Sequence, residues 1–380
     1  MRQYCDDFSL TPGQIWLNAA SEGPIPKVAA AALQSAVNWK FSPEQLTIAK
    51  FQQVPLELKK TIGRLIAVVA DEVILGNSAT YGLHLLANGL QFNAGDEILL
   101  MQNDFPSDIL PWLHLKEKGV QVRQLKPRAE VLTAQEVQDA FTPNTKLVCL
   151  PHVHSFSGWA LHIKNIGEFC RRRGTLFVVN MSQSIGAGEV RIADLPVDAV
   201  VCAGYKWLLG PYSTGFCWMR PQLRQKLNYP QAYWTALMDE KSLDATGELT
   251  LTDDHSSRRY DVFAPANFFN YVPWKASIEY LLEIGLPKVH QHIQELAAQI
   301  LEGLDRKRFV VSSPIESGQR TSIVVFSYKD QAQNRRIYEF LKAHGIHTAL
   351  WKNRLRLSPH IYNTSQDITT LLSVLDSFSI

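Results

Sequence analysis

The residue of this chain best suited to covalent chemistry is a lysine delivered from an apolar run into a glycine-bounded turn. In Ala199-Val200-Val201-Cys202-Ala203-Gly204-Tyr205-Lys206-Trp207-Leu208-Leu209-Gly210-Pro211 that lysine is Lys206. An apolar surround disfavours the charged amine and lowers its pKa, and Schiff-base chemistry with a carbonyl needs the neutral form. Trp207, Leu208 and Leu209 supply the surround, while Gly204, Gly210 and Gly215 are expected to let backbone pass close to a bulky planar ligand. Taken alone, the segment equally fits a snorkelling lysine with its stem buried and its ammonium in water. What lies upstream decides between the two.

Short apolar runs recur there, each closed by a polar turn: Val73-Ile74-Leu75, Glu97 to Met101, Lys146 to Leu150, Thr175 to Val179 and Ala199 to Ala203. Helical patterns precede them at Lys27 to Trp39 and Pro55 to Val69, lie between them at Ala129 to Phe141 and Ile163 to Arg172, and continue beyond them with a helix expected over Pro273 to Ile284. Strands buried on both faces and alternating with helices predict an α/β fold with a largely parallel sheet. In such sheets ligands bind at the carboxyl ends of the strands.

The residues just past each run therefore carry the functional information. After Leu75 comes Gly76-Asn77-Ser78-Ala79-Thr80, opening a helix whose free N–H groups suit a phosphate, although ordinary capping by Ser78 or Thr80 explains it too. After Met101, Asp104-Phe105-Pro106-Ser107-Asp108 puts a ring where a planar ligand could stack, or simply a core Phe beside a proline turn. Past Val179, Asn180 and Gln183 place two amides in one turn region. His152 and His154 follow Leu150 without an acidic or thiol partner nearby, so they read as packing residues, His152 hydrogen-bonded, rather than as metal ligands. A phosphate-ready helix start, a stacking ring, amides and a lysine together describe a pocket for a phosphorylated aromatic aldehyde, pyridoxal phosphate, held by Lys206.

Composition bounds the rest. At 380 residues, with 46% hydrophobic residues, the chain is expected to form two domains with a large core. Its 38 basic and 36 acidic residues leave almost no net field, which argues against nucleic acid or anionic membrane as a main partner. The start lacks a signal-peptide core and no apolar run approaches the length of a membrane span, so a cytoplasmic location is expected. Five scattered cysteines without a CxxC pair read as reduced, mostly buried thiols.

The segment Gly204-Tyr205-Lys206-Trp207-Leu208-Leu209-Gly210-Pro211 with Gly215-Phe216 resembles the class V aminotransferase family of fold-type I pyridoxal-phosphate enzymes. The resemblance extends from Leu17-Asn18-Ala19-Ala20 to the Arg356-to-Thr364 stretch. It implies a large cofactor domain over 26–270 on a mostly parallel sheet of seven-stranded type, a small C-terminal α+β domain over 271–380, and an N-terminal segment, 1–25, packing with the small domain. It implies further that Lys206 carries the cofactor, Ala79 and Thr80 bind phosphate, Phe105 stacks on the ring and Gln183 bonds the phenolic oxygen. Tyr205 occupies the place of a phosphate-binding tyrosine in kynureninases, and Asp108 resembles a kynureninase residue that approaches the cofactor. Arg356 would grip a substrate carboxylate, with Ser155 at a substrate-binding position that is asparagine in cysteine desulfurases. A homodimer with the site at its interface is also implied, Asn267 reaching the partner's phosphate.

Two departures from the family pattern bear on function. Asn180 stands where an aspartate usually keeps the pyridine nitrogen protonated, which predicts a weaker electron sink. The stretch 345–353 contains no cysteine, which disfavours persulfide-forming desulfurisation. The resulting expectation is an enzyme acting on a small amino acid or amine, with Lys206 as general base at Cα and transamination favoured. Elimination, epimerisation or racemisation, and a non-catalytic pyridoxal-phosphate-binding role stay open as alternatives.

Overall fold

In a computed structural model, which describes residues 4–228 and 256–379 together with Tyr233, Trp234, Met238 and Glu248, the expected strands share one sheet. Outside it lies a short strand near the N-terminus, β1 (Ile15–Trp16). The sheet contains β2 (Val73–Gly76), β3 (Glu97–Met101), β4 (Gln121–Leu125), β5 (Thr145–Pro151), β6 (Leu176–Asn180), β7 (Ala199–Ala203) and β8 (Gly215–Met219). Its order is β2-β8-β7-β6-β5-β3-β4, and only β8 runs against the other six. Every residue of β2, β3, β7 and β8 is buried, as unbroken apolar runs covered on both faces require. The reading of the sequence missed β4, an edge strand whose polar, largely exposed Gln121-Val122-Arg123-Gln124-Leu125 carries no such run.

Helices cover both faces, and three begin elsewhere than expected. The second, α2 (Ile48–Ile66), starts before Pro55 because Thr47 caps it, its Oγ1 accepting from the Lys50 N–H. Pro273 likewise lies inside the helix Phe268–Ile284 and does not open it. The sequence pattern places both prolines in a helix's first turn, where a missing N–H costs nothing. The pattern from Ala129 yields only Ala134–Ala140, since Thr133 and Glu136 close a capping box that fixes the start.

Toward the C-terminus an antiparallel sheet of four strands forms from β9 (Phe309–Val311), β10 (Val324–Tyr328), β12 (Ala349–Trp351) and β13 (Arg354–Leu357), in the order β12-β13-β10-β9. Between β10 and β12 lies β11 (Ile346–His347), which pairs in parallel with β1, Ile15 opposite Ile346. Leu17 joins the core around Leu296, Ile300 and Leu357, so the N-terminal segment is anchored beside β13. The closing helix, Ser365–Ser377, is capped by Thr364, whose Oγ1 accepts from the Asp367 N–H while Asp367 Oδ2 accepts from the Thr364 N–H. Thr364→Ala is expected to lower the unfolding free energy by about 1 kcal/mol, seen as a lower urea midpoint at unchanged slope.

Candidate active site

The turns after β2, β3, β5, β6 and β7, at the carboxyl end of the large sheet, each contribute to the wall of a single cavity. From β7 the chain enters a loop closed by Gly204 N–H to the Thr214 carbonyl (2.8 Å) and Gly210 N–H to the Gly204 carbonyl (2.9 Å), and Lys206 lies in it with 8% of its surface exposed. From β2 the chain enters α3 (Ala79–Gly89), whose cap Ser78 accepts from the Tyr81 N–H, leaving the helix's positive end and the Thr80 hydroxyl toward the cavity. From β3 it passes Phe105 into α4 (Pro106–Leu113). Ser155 follows β5, and Asn180 ends β6 with Gln183 just beyond.

Nine of the eleven residues singled out in the sequence line this one cavity: Ala79, Thr80, Phe105, Asp108, Ser155, Asn180, Gln183, Tyr205 and Lys206. Arg356, on β13, stands directly behind Ser155 and donates from Nη1 to its carbonyl at 3.0 Å. Its Nη2 donates to Asn18 Oδ1 (3.2 Å) and Ser21 Oγ (2.6 Å), while Nε is buried without a partner among the described residues. Asn267 does not line the cavity of its own chain; its carbonyl accepts from the Asn270 and Tyr271 N–H groups at the start of a helix.

The electrostatics centre on Lys206. Among the described residues it makes no hydrogen bond and no ion pair, and Nζ lies 5.3 Å from the centre of the Phe105 ring. Burial first, and Arg356 second, lower its pKa to about 8. Glu22, on the loop crossing from Asn18 to Gly23, is pushed up to about 7 by burial against the pull of Lys206. Tyr205 is raised to about 12, by burial ahead of its neighbours Tyr212 and Glu22. Gln183 accepts from Trp207 Nε1 (2.7 Å) and donates to the Ala20 carbonyl (3.0 Å) and Ser155 Oγ (3.2 Å), so it ties the lysine loop to the N-terminal segment.

Two expectations need correction. The glycines around Lys206 make room for protein rather than for a ligand: a Cβ on Gly204 or Gly210 would strike the Trp274 ring, and one on Gly215 the backbone of Ser78. His152 is not hydrogen-bonded through its ring, whose buried Nδ1 has no partner among the described residues; His154 is the one held, by Ser157 Oγ at 2.8 Å. Asp108, expected to approach the cofactor, is a buried carboxylate whose Oδ1 accepts from Asn180 Nδ2 at 2.7 Å. No disulfide joins the five cysteines, and four of them are buried, as expected. Ser182, Asn18 and Ser21 escaped notice. The last two contact Arg356 across more than 330 residues of sequence, a separation that leaves no local pattern.

A buried ammonium without a partner is costly. A carbonyl ligand removes that cost by taking up the neutral amine, and the helix start, the Phe105 ring and Tyr205 surround Lys206 as a phosphorylated ring would require. The fold and site thus define an enzyme of the pyridoxal-phosphate-dependent type. The chain belongs to the class V aminotransferase family, which it matches over residues 18–371 and whose members use pyridoxal phosphate. It is 24% identical to isopenicillin N epimerase of Amycolatopsis lactamdurans, with 98% of this chain and 97% of that protein covered. It is 25% identical to a probable cysteine desulfurase of Methanothermobacter thermautotrophicus over 77% of this chain and 73% of the other. Among solved structures, the cystine C-S lyase C-DES in complex with cysteine persulfide has a TM-score of 0.86 at 21% identity, covering 97% of this chain and 99% of that one. No described helix is long and apolar enough to cross a membrane.

Proposed function

We propose that this protein acts on an amino acid at Cα, with transamination as the reaction. The observation that supports this reading is a buried Lys206 with no hydrogen bond or ion pair among the described residues, facing a cavity whose wall at Ser155 is braced by the buried guanidinium of Arg356. Pyridoxal phosphate, when bound, supplies an aldehyde that condenses with amines and a ring that draws electrons from a breaking bond at Cα. Ala79, Thr80 and Tyr205 would hold its phosphate, and Phe105 would cover the ring face. Arg356 orients the substrate carboxylate through its planar fork, steadied by Asn18, Ser21 and the Ser155 carbonyl. Lys206, its pKa lowered to about 8, would take the proton from Cα and give it back two atoms away, at the carbon that had been the cofactor's aldehyde. Transamination asks for one such base and no second nucleophile, which suits a stretch from 345 to 353 without cysteine. The protein works as a homodimer in the cytoplasm, with Asn267 serving the partner's cavity.

Elimination at Cβ is the second reading, supported by likeness to a C-S lyase along the whole chain; it uses the same Lys206. Holoenzyme mixed with a panel of amino acids separates the two. Transamination converts the cofactor to its amine form, shifts the absorbance and leaves a keto acid with all its carbons. Release of ammonia or sulfide with an intact cofactor aldehyde would replace it by elimination, and silence in both readouts would leave epimerisation or a binding role.

A further inference from the structure

The hydrogen bonds at the end of β6 decide what Asn180 can offer a ligand. Its Oδ1 accepts from the Ser182 backbone N–H at 3.0 Å. A backbone N–H only donates, so this contact fixes which end of the amide is oxygen. Nδ2 then faces Asp108 and donates to its Oδ1 at 2.7 Å. The one N–H left on Nδ2 is a donor, which cannot accept the proton of a pyridinium nitrogen.

Asp108 can. It sits in the first turn of α4, only 2% exposed, on the same cavity as Asn180 and Lys206. Its Oδ2 makes no hydrogen bond and no ion pair among the described residues. We infer that Asp108 is the residue that accepts the proton of the cofactor's ring nitrogen, and that Asn180 is a positioning residue holding that carboxylate in place. The carboxylate that relatives carry at the end of β6 has in effect moved to the start of α4, and the electron sink is retained. The inference rests on the cavity holding pyridoxal phosphate.

The neighbouring charges agree with this assignment. Asp104, also buried, is pushed well up by burial and by the neighbouring Asp108. Burial raises Asp108 to about 6, while the Asn180 bond and the Lys206 charge pull it down. The Cys149 thiol behind them is held protonated by its burial.

The test is ring-nitrogen NMR of protein reconstituted with pyridoxal phosphate labelled with nitrogen-15 in the ring, alongside a titration of cofactor affinity. The wild-type protein is expected to give the upfield shift of a protonated pyridinium. Asp108→Asn, nearly isosteric and still able to accept from Asn180, is expected to move the signal to the unprotonated position. It should also weaken cofactor binding about 10- to 100-fold, the worth of one charge-assisted hydrogen bond. Asn180→Ala should keep the proton on the ring but broaden or shift its signal. An unprotonated ring in the bound wild type, or a protonated one in Asp108→Asn, overturns the inference while leaving the cofactor reading intact. Failure to bind the cofactor at all overturns both.

Discussion

Lys206→Met is expected to do two things at once: abolish turnover and make the cofactor-free protein more stable. The loss of activity follows from removing the base at Cα, an effect of about 10²- to 10⁴-fold for proton transfer alone. The gain in stability follows from the pKa. Lys206 falls from 10.5 to about 8 on folding, chiefly through burial, so the unfolded chain binds a proton over a range where the native one does not. Stability therefore rises as pH climbs from about 8 to 10.5, and below 8 the native state bears the whole penalty, about 3 kcal/mol. Methionine fills a similar volume without a charge. At pH 7 the apo variant should exceed the apo wild type by roughly that 3 kcal/mol, with the gap closing toward pH 10. Urea unfolding of both apo proteins across this range is the measurement. A variant less stable than wild type at pH 7 would show that Lys206 is satisfied by a partner and not held ready for a ligand.

The same balance explains which parts of the site can be read from the chain. Lys206, Phe105, Ala79, Thr80 and Gln183 each follow directly on an apolar run, and the strand-end rule turns that local order into a shared location. Asn180 and Asp108 are also adjacent to such runs, yet their contact joins residues 72 apart, so the sequence shows an amide where a carboxylate is usual and hides the carboxylate beside it. Trp274 against Gly204 and Gly210 is hidden for the same reason. β4 was lost because an edge strand need not be apolar, and the two helix starts because a proline one or more turns inside a helix looks like one at its opening. What escapes is side-chain pairing between distant segments. What survives is periodicity and whatever lies immediately next to it.

Arg356 offers the sharper test of substrate class, because lysine in its place keeps the charge and loses everything else. Its guanidinium is buried, bound on one edge by the Ser155 carbonyl, Asn18 and Ser21, and free at Nε. Burial brings its pKa down to about 10, so it stays cationic at neutral pH. An ammonium in the same place would meet the same burial from a lower starting point and with Lys206 nearby, and would give up its proton well before the arginine does. Arg356→Lys is therefore expected to cut kcat/KM for amino acids by about 10²-fold near pH 7, with the defect deepening as pH rises, and Arg356→Met by about 10³-fold at any pH. Amines lacking the carboxylate supply the control, since their kcat/KM should change little in either variant. The ratio of the two substrates, followed against pH, isolates the carboxylate contact from any general disturbance of the loop between Asn18 and Gly23. If amine and amino acid lose activity in parallel, Arg356 braces that loop and the carboxylate is bound elsewhere.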